Sequence, residues 1–327
     1  MSVFEAILAN RAAVVADGAM GTALFARGLE VGGCPELANV DTPEMIGAVH
    51  RDYLEAGADL ILTNTFGGNA RRLMLHGAAD RVFELNEAAA GLARKVADEF
   101  DRPVIVAGSI GPTGDLMEPL GPLTHSEAVE VFADQMEGLI AGGADVLWIE
   151  TLSSQEEVAA AVEAAGRFDI PVTATLSFDT VGKTMMGFSP ADFADWAGGT
   201  KLAAIGGNCG IGPGDNVVAV HEITETDRAQ LIISKGNCGI PLYKNEGLEY
   251  PAGPETMADY VQVALRSGVK IIGACCGSTP AHIAAISAAV DSYVPGDRPG
   301  RAEVIERLGV QIRPTAPARE RTRRRSA

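Results

Sequence analysis

Aromatic residues make up only 5% of the 327-residue chain, and its 26 basic residues are outnumbered by 43 acidic ones. A formal net charge of −17 excludes a surface built for phosphate backbones, which needs Lys and Arg to displace counterions, so no nucleic-acid partner is expected. Long apolar runs are missing as well. The longest uncharged stretch, 271–290, is interrupted by Gly273, Gly277, Pro280 and His282, and reads as strand, loop and helix, so no membrane partner is expected either. Nucleotide signatures are absent: no G-x-G-x-x-G follows the first apolar run, and no G-x-x-x-x-G-K-[ST] occurs. The five histidines (His50, His76, His125, His221 and His282) share no spacing, which argues against a histidine-based metal site. The opening MSVFEAILAN carries Glu5 and no basic n-region, so no signal peptide is expected. Cysteine usage then fits the reducing cytoplasm.

What the chain does contain is unevenly placed. Residues 313–327 hold six of the 26 basic residues against Glu320 alone of the 43 acids, so a body of −22 carries a tail of +5. That tail, with Pro314, Pro317 and RTRRR, reads as a solvated end or a docking segment for an acidic partner. Two of the five cysteines, Cys275 and Cys276, are adjacent.

Eight short apolar runs recur, at 13–17, 60–65, 104–109, 146–151, 172–178, 203–209, 231–234 and 270–275, each followed by a helical pattern. Helices are expected to open at Thr42-Pro43, Ser126, Ser154, Ser189-Pro190 and Gly253-Pro254. Eight strand–helix units of buried type fit a single-domain (β/α)8 TIM barrel over 1–292 better than an open doubly wound sheet. Residues 293–327 form a C-terminal extension, in which 302–308 (AEVIERL) has a helical pattern suited to packing on its own barrel or on a neighbour.

In such a barrel the strand ends share one mouth. They are Asp17, Asn64-Thr65, Ser109, Glu150, Ser177, Cys209, Gly236-Asn237 and Cys275-Cys276. Lone buried cysteines usually serve as small apolar fillers, but an adjacent pair with a third thiol nearby favours a metal. Three thiolates, Cys209, Cys275 and Cys276, select Zn²⁺ and leave a fourth position for a substrate thiol, which loses its proton there. Successive strand residues point to opposite faces, so the pair needs a turn, which Gly273 and Gly277 permit. A vicinal disulfide is the strained alternative. Asp17 and Glu150 are candidates for a substrate ammonium, and the Gly18 and Ala19 amides for a carboxylate; a cap is the bland reading of Asp17. The GNCGI of 207–211 returns at 236–240, making Cys238 a rival ligand, whereas Cys34 reads as a bystander.

The motifs DGAMGT (17–22), TNTFG (63–67), GSIGPTG (108–114), IET (149–151), GGNCGIGP (206–213) and GACCGSTP (273–280) resemble the homocysteine S-methyltransferase family over about residues 10–292. The resemblance implies a (β/α)8 barrel, zinc on Cys209, Cys275 and Cys276, and homocysteine held around Asp17, Gly18, Ala19, Asn64, Thr65, Ser109 and Glu150. It leaves the methyl donor open among betaine, S-methylmethionine and methylcobalamin. A quaternary ammonium calls for aromatic rings. Gly67 and Thr151 stand where the betaine enzymes carry tyrosines, and TNTFGGN looks closer to the homocysteine module of cobalamin-dependent methionine synthase. No D-x-H-x-x-G corrinoid motif occurs, so methylcobalamin would ride on a separate carrier protein. Where the family has NAG, this chain has Asn237-Cys238-Gly239, which keeps Asn237 and Cys238 in question. The expected activity is thus methionine formation by the stand-alone homocysteine module of a split cobalamin-dependent methionine synthase. A betaine-type enzyme, a corrinoid methyltransferase for another thiol, and a non-catalytic zinc-binding or thiol-sensing barrel are the alternatives.

Overall fold

Each of the eight apolar runs forms a strand. They are β1 (Val14–Val15), β2 (Leu60–Leu62), β3 (Ile105–Ile110), β4 (Val146–Leu152), β5 (Val172–Leu176), β6 (Ala204–Cys209) and β7 (Leu231–Gly236); a short hairpin, β8 (Leu242–Lys244) and β9 (Gly247–Glu249), precedes β10 (Ile271–Ala274). In this computed structural model, residues 3–9, 11–225, 230–244 and 247–311 are described. The barrel strands are all parallel in the order β1-β10-β7-β6-β5-β4-β3-β2, and a parallel bridge between Ala16 and Leu60 joins the two ends. The result is a (β/α)8 TIM barrel in one domain. Among the described residues no helix is long and apolar enough to cross a membrane.

Strand alternation sorts side chains into two cores. Val14, Ala16, Leu60, Leu62, Ile105, Ala107, Val146, Trp148, Ala204, Ile233 and Ile271 form one cluster inside the barrel. The intervening Val15, Ile61, Val106, Leu147, Ile149, Ala174, Ile205 and Ile272 join the larger cluster beneath the helices. Because a barrel strand is buried on both faces, its sequence shows a continuous apolar run rather than alternation.

Helix boundaries follow capping chemistry. Ser154 and Ser189 accept the amides of Glu157 and Asp192, and prolines open the helices at Pro43, Pro190, Pro213, Pro254 and Pro280. The helix expected from Ser126 starts at His125, because Thr124, two residues before Ser126, forms a reciprocal capping box with Glu127. Thr42, expected to cap Pro43–Glu55, makes no side-chain cap. Strand β7 extends to Gly236, two residues beyond the apolar run, and so carries Lys235.

From residue 293 to 311 the chain stays on its own barrel. Helix Arg301–Leu308 buries Val304 against helices Pro213–Thr224 and Pro254–Arg266 and pairs Arg307 with Asp259. The Arg-rich tail lies outside the described residues.

His50, inside helix Pro43–Glu55, is fully buried, and neither ring nitrogen has a hydrogen-bond partner among the described residues. Burial therefore pushes its pKa down from 6.5 to about 4. As pH falls, the unfolded chain takes up this proton first, so stability present above pH 6.5 drains away between pH 6.5 and 4. By pH 4.5 the loss is about 2–3 kcal/mol. Urea unfolding at pH 7.5 and 4.5 should show His50→Leu losing that much less than wild type; equal losses would rule the assignment out.

Candidate functional site

The alternation that builds the inner apolar core continues upward to the mouth. Two residues beyond Ala107, Trp148, Gly206 and Gly273 come Ser109, Glu150, Asn208 and Cys275, so polar groups replace hydrophobic ones on the same faces. Cys209 and Cys276 have the opposite parity and would point away from the mouth on regular strands. The backbone corrects both. Cys209 adopts φ 57°, one of only three non-glycine residues at positive φ among the described residues, and Gly277 turns the chain at φ 84° directly after the cysteine pair. A Cβ at Gly277 would also sit 2.1 Å from the Tyr250 ring, so only glycine serves there.

With these turns the sulfurs of Cys209, Cys275 and Cys276 lie within 4.8 Å of one another. Asn237 ties their backbones together. Its Nδ2 donates to the Gly210 carbonyl at 2.6 Å, its Oδ1 accepts the Cys276 amide at 3.0 Å, and its own amide donates to the Cys209 carbonyl. Three thiols this close oppose one another's ionisation. For Cys209 the hydrogen bond with Cys275 lowers the pKa, but that with Cys276 and burial outweigh it and push the thiol up to about 12. Cys276 reaches about 12 as well: its hydrogen bond with Cys209 lowers it, and Cys275 and burial overcome that. Only a cation makes three thiolates compatible here, and the donor set is the one a thiophilic divalent metal takes.

Cys238 stands outside this trio. It is fully buried, donates its amide to the Cys276 carbonyl at 3.0 Å, and has its thiol pushed up to about 12 by burial and by Cys276. Cys34 is closer to the action than a bystander, since it lines the same cavity and donates its Sγ to the Glu36 carboxylate at 3.3 Å.

The cavity, about 380 Å³, runs from the thiol trio past Asp17, Glu150 and Lys235 to an outer rim with Phe25, Phe66, Arg72 and His76. Lys235 is the site residue that sequence reasoning missed. It follows Ile233 on the same inner face of β7, and a lysine at that parity after an apolar run was the available signal. Its Nζ donates to Asp17 Oδ1 at 2.8 Å and to the Asp17 carbonyl at 3.0 Å, both groups buried. Burial disfavours its charge, yet Asp17, Cys275 and Glu150 around it hold Lys235 protonated. The other Asp17 oxygen accepts the Leu62 amide, so Asp17 is engaged within the protein. Glu150 keeps one oxygen on Ser109 Oγ at 2.5 Å, and burial raises its pKa against the pull of Lys235 and Ser109.

The remaining expected residues divide into lining and bracing roles. Gly18 lines the cavity where a Cβ would strike Ser278 Oγ at 2.5 Å and the Tyr53 ring at 2.8 Å. The Ala19 amide donates to Ser278 Oγ. Asn64 donates to the Pro35 carbonyl and Asn39 Oδ1, and Thr65 to the Ser109 carbonyl, so both fasten the loops around the mouth. Asn208 and Glu36, buried and also missed, hold Thr151 and the Gly67 amide respectively.

Two outcomes check this geometry. Cys276→Ala should lose most bound zinc while Cys238→Ala keeps one equivalent, measured by metal analysis after gel filtration; full retention in Cys276→Ala would overturn the trio. Lys235→Met strands Asp17 as an unpaired buried charge and should cost about 3–5 kcal/mol in urea unfolding, with Asp17→Asn in the same chain recovering part of it. A loss below 1 kcal/mol, on the order of an exposed pair, would contradict the buried ion pair.

The comparisons with known proteins converge on the same chemistry. The family model for homocysteine S-methyltransferase matches residues 14–290. The methionine synthase of Mycobacterium tuberculosis is 34% identical over 296 residues, 85% of this chain and 24% of that protein; that of Mycobacterium leprae is 34% identical over 309 residues, 87% and 25%. The chain thus spans about a quarter of the length of these relatives. The metallated form of the homocysteine methyltransferase MmuM from Escherichia coli superposes with a TM-score of 0.75 at 25% identity, covering 88% of this chain and 99% of that one. With a model match across nearly the whole barrel, the chain belongs to the homocysteine S-methyltransferase family.

Proposed function

We propose that this protein is a zinc-dependent homocysteine S-methyltransferase that forms methionine, its barrel acting as the homocysteine module of a cobalamin-dependent methionine synthase. The observation that carries the acceptor half is the thiol trio at one end of a cavity whose wall holds Glu150 and Lys235. Cys209, Cys275 and Cys276 would hold the zinc, which when bound makes a substrate thiol a thiolate at neutral pH. Glu150, fixed by Ser109, receives the substrate ammonium. Lys235 spends two donors on Asp17 and turns its remaining N–H to the substrate carboxylate, so Asp17 acts through Lys235. A carbon–sulfur bond to the methyl group forms as the donor's bond to that methyl breaks, the pair leaving with the donor.

The donor half is supported by the mouth's outer surface. Most exposed large apolar side chains among the described residues sit on the segments that leave the barrel strands' C-terminal ends, including Phe66, Leu116, Met185 and Ile240 on loops, Met74 on the short helix Ala70–Met74 and Tyr243 on the hairpin strand β8. An apolar collar of this kind suits a protein surface bringing the methyl group to the cavity, as a corrinoid carrier would. Rings for a quaternary ammonium are few: Trp148 is buried in the barrel interior, Phe178 packs on Phe193, and the cavity's aromatic lining among the described residues is Phe25 and Phe66 at its outer rim, which disfavours betaine.

A donor panel with homocysteine tests the reading. Methionine should form with methylcobalamin on a carrier protein, and not with betaine or S-methylmethionine in corrinoid-free protein. Turnover with betaine alone would overturn the donor assignment. No methionine with any donor would return the molecule to a zinc-binding or thiol-sensing role.

A further inference from the structure

Thr151 is a β-branched residue at φ 64°, in the backbone region that such side chains most avoid. It occupies a register shift in β4 against β5, where Glu150 pairs with Thr175 and Leu152 with Leu176, leaving Thr151 as the extra residue. The strain is placed directly after the carboxylate of the cavity wall. It is held by Asn208, fully buried on β6, two strands along the sheet. Asn208 Oδ1 accepts the Thr151 amide at 3.1 Å, and Nδ2 donates to Thr151 Oγ1 at 2.7 Å. The same Nδ2 lies 3.4 Å from Glu150 Oε2. Both ends of one strained residue are therefore gripped by one amide, and the gripping residue is the immediate neighbour of Cys209, itself at φ 57°.

We infer that Asn208 is a positioning residue whose clasp on Thr151 fixes the separation between Glu150 and the thiol trio, and so selects amino-acid thiols by chain length. The inference rests on the substrate reading above. A substrate that must reach from Glu150 to the sulfurs of β6 and β10 is measured by that span. The clasp makes the span rigid by linking the carboxylate strand to the thiol strand over the intervening β5. Without it, Thr151 relaxes to an ordinary strand conformation, the bulge moves, and Glu150 is no longer held by its Asn208 contact.

Homocysteine and cysteine binding to the zinc-loaded full chain by calorimetry, with zinc affinity by chelator competition, tests this. Asn208→Ala should weaken homocysteine about tenfold, with zinc affinity within about threefold of wild type. The preference for homocysteine over cysteine, one methylene shorter, should narrow, which a merely structural role would not cause. Adding Thr151→Gly should recover most of the loss, because glycine takes positive φ without a clasp. Unchanged homocysteine binding in Asn208→Ala, an unchanged preference, or no recovery by Thr151→Gly overturns the inference. If Asn208→Ala does not fold, Thr151→Ala decides, since it removes only the Oγ partner: weaker homocysteine binding with intact zinc supports the clasp, and wild-type binding overturns it. A wild-type protein that binds zinc but not homocysteine overturns the substrate reading, and this inference with it.

Discussion

The rest of the mouth is arranged around the mutual repulsion of three sulfurs gathered from strands that are not neighbours. β6 and β10 are separated by β7, and strand parity sends Cys209 and Cys276 away from the face that Cys275 occupies. Bringing them together takes a left-handed Cys209, a glycine turn at Gly277 and the Asn237 crosslink. A left-handed non-glycine residue costs about 1–3 kcal/mol, and it persists only where the surroundings over-determine it. Here the barrel supplies that constraint, with Asn237 bonded to both sulfur-bearing loops.

Charge is managed by the same layering. The lower interior of the barrel is largely apolar, Trp148 and Ile233 included, with Thr173 paired beside Trp148, and charge enters where Asp17 and Lys235 meet. A buried pair of this type contributes little net stability against a hydrophobic substitute, because desolvation consumes most of the attraction. Its value is local. Lys235 is a fixed cation beside Glu150 and Cys275, in a region where every other ionisable neighbour carries or develops negative charge. Asp17 holds that cation at a defined height in the barrel, with the Leu62 amide holding Asp17.

Sequence reading recovered the eight strands because barrel strands, buried on both faces, present unbroken apolar runs. It anticipated that Cys209, Cys275 and Cys276 would share one end of the barrel, as they do, because an adjacent cysteine pair at a strand end stands out in the sequence. It missed Lys235 because the apolar run was taken to end at Ser234, although β7 continues two residues further. It assigned Asp17 and the Ala19 amide to substrate without their internal partners, Lys235 and Ser278, which lie more than two hundred residues away in the chain. Thr151 drew notice only as a place where the betaine enzymes carry a tyrosine, and Asn208 only within its motif, for a different reason: positive φ at a threonine is imposed by tertiary contacts, and no local pattern announces it.

The division between acceptor and donor has a physical origin in this architecture. Groups that face homocysteine, as proposed, sit at strand ends, whose positions are set by register and parity to within one residue. Groups that would face the donor, as proposed, sit on the connecting segments beyond the strand ends, such as the loops carrying Leu116 and Met185, where no strand periodicity constrains them. Exposed apolar residues on these segments contribute nothing to the barrel core, and their placement at one end of the molecule fits the proposed protein surface that would cover them. A small donor would be covered by the cavity alone and would leave the collar in water. A donor delivered by a protein uses both, the cavity for the methyl group and the collar for its carrier.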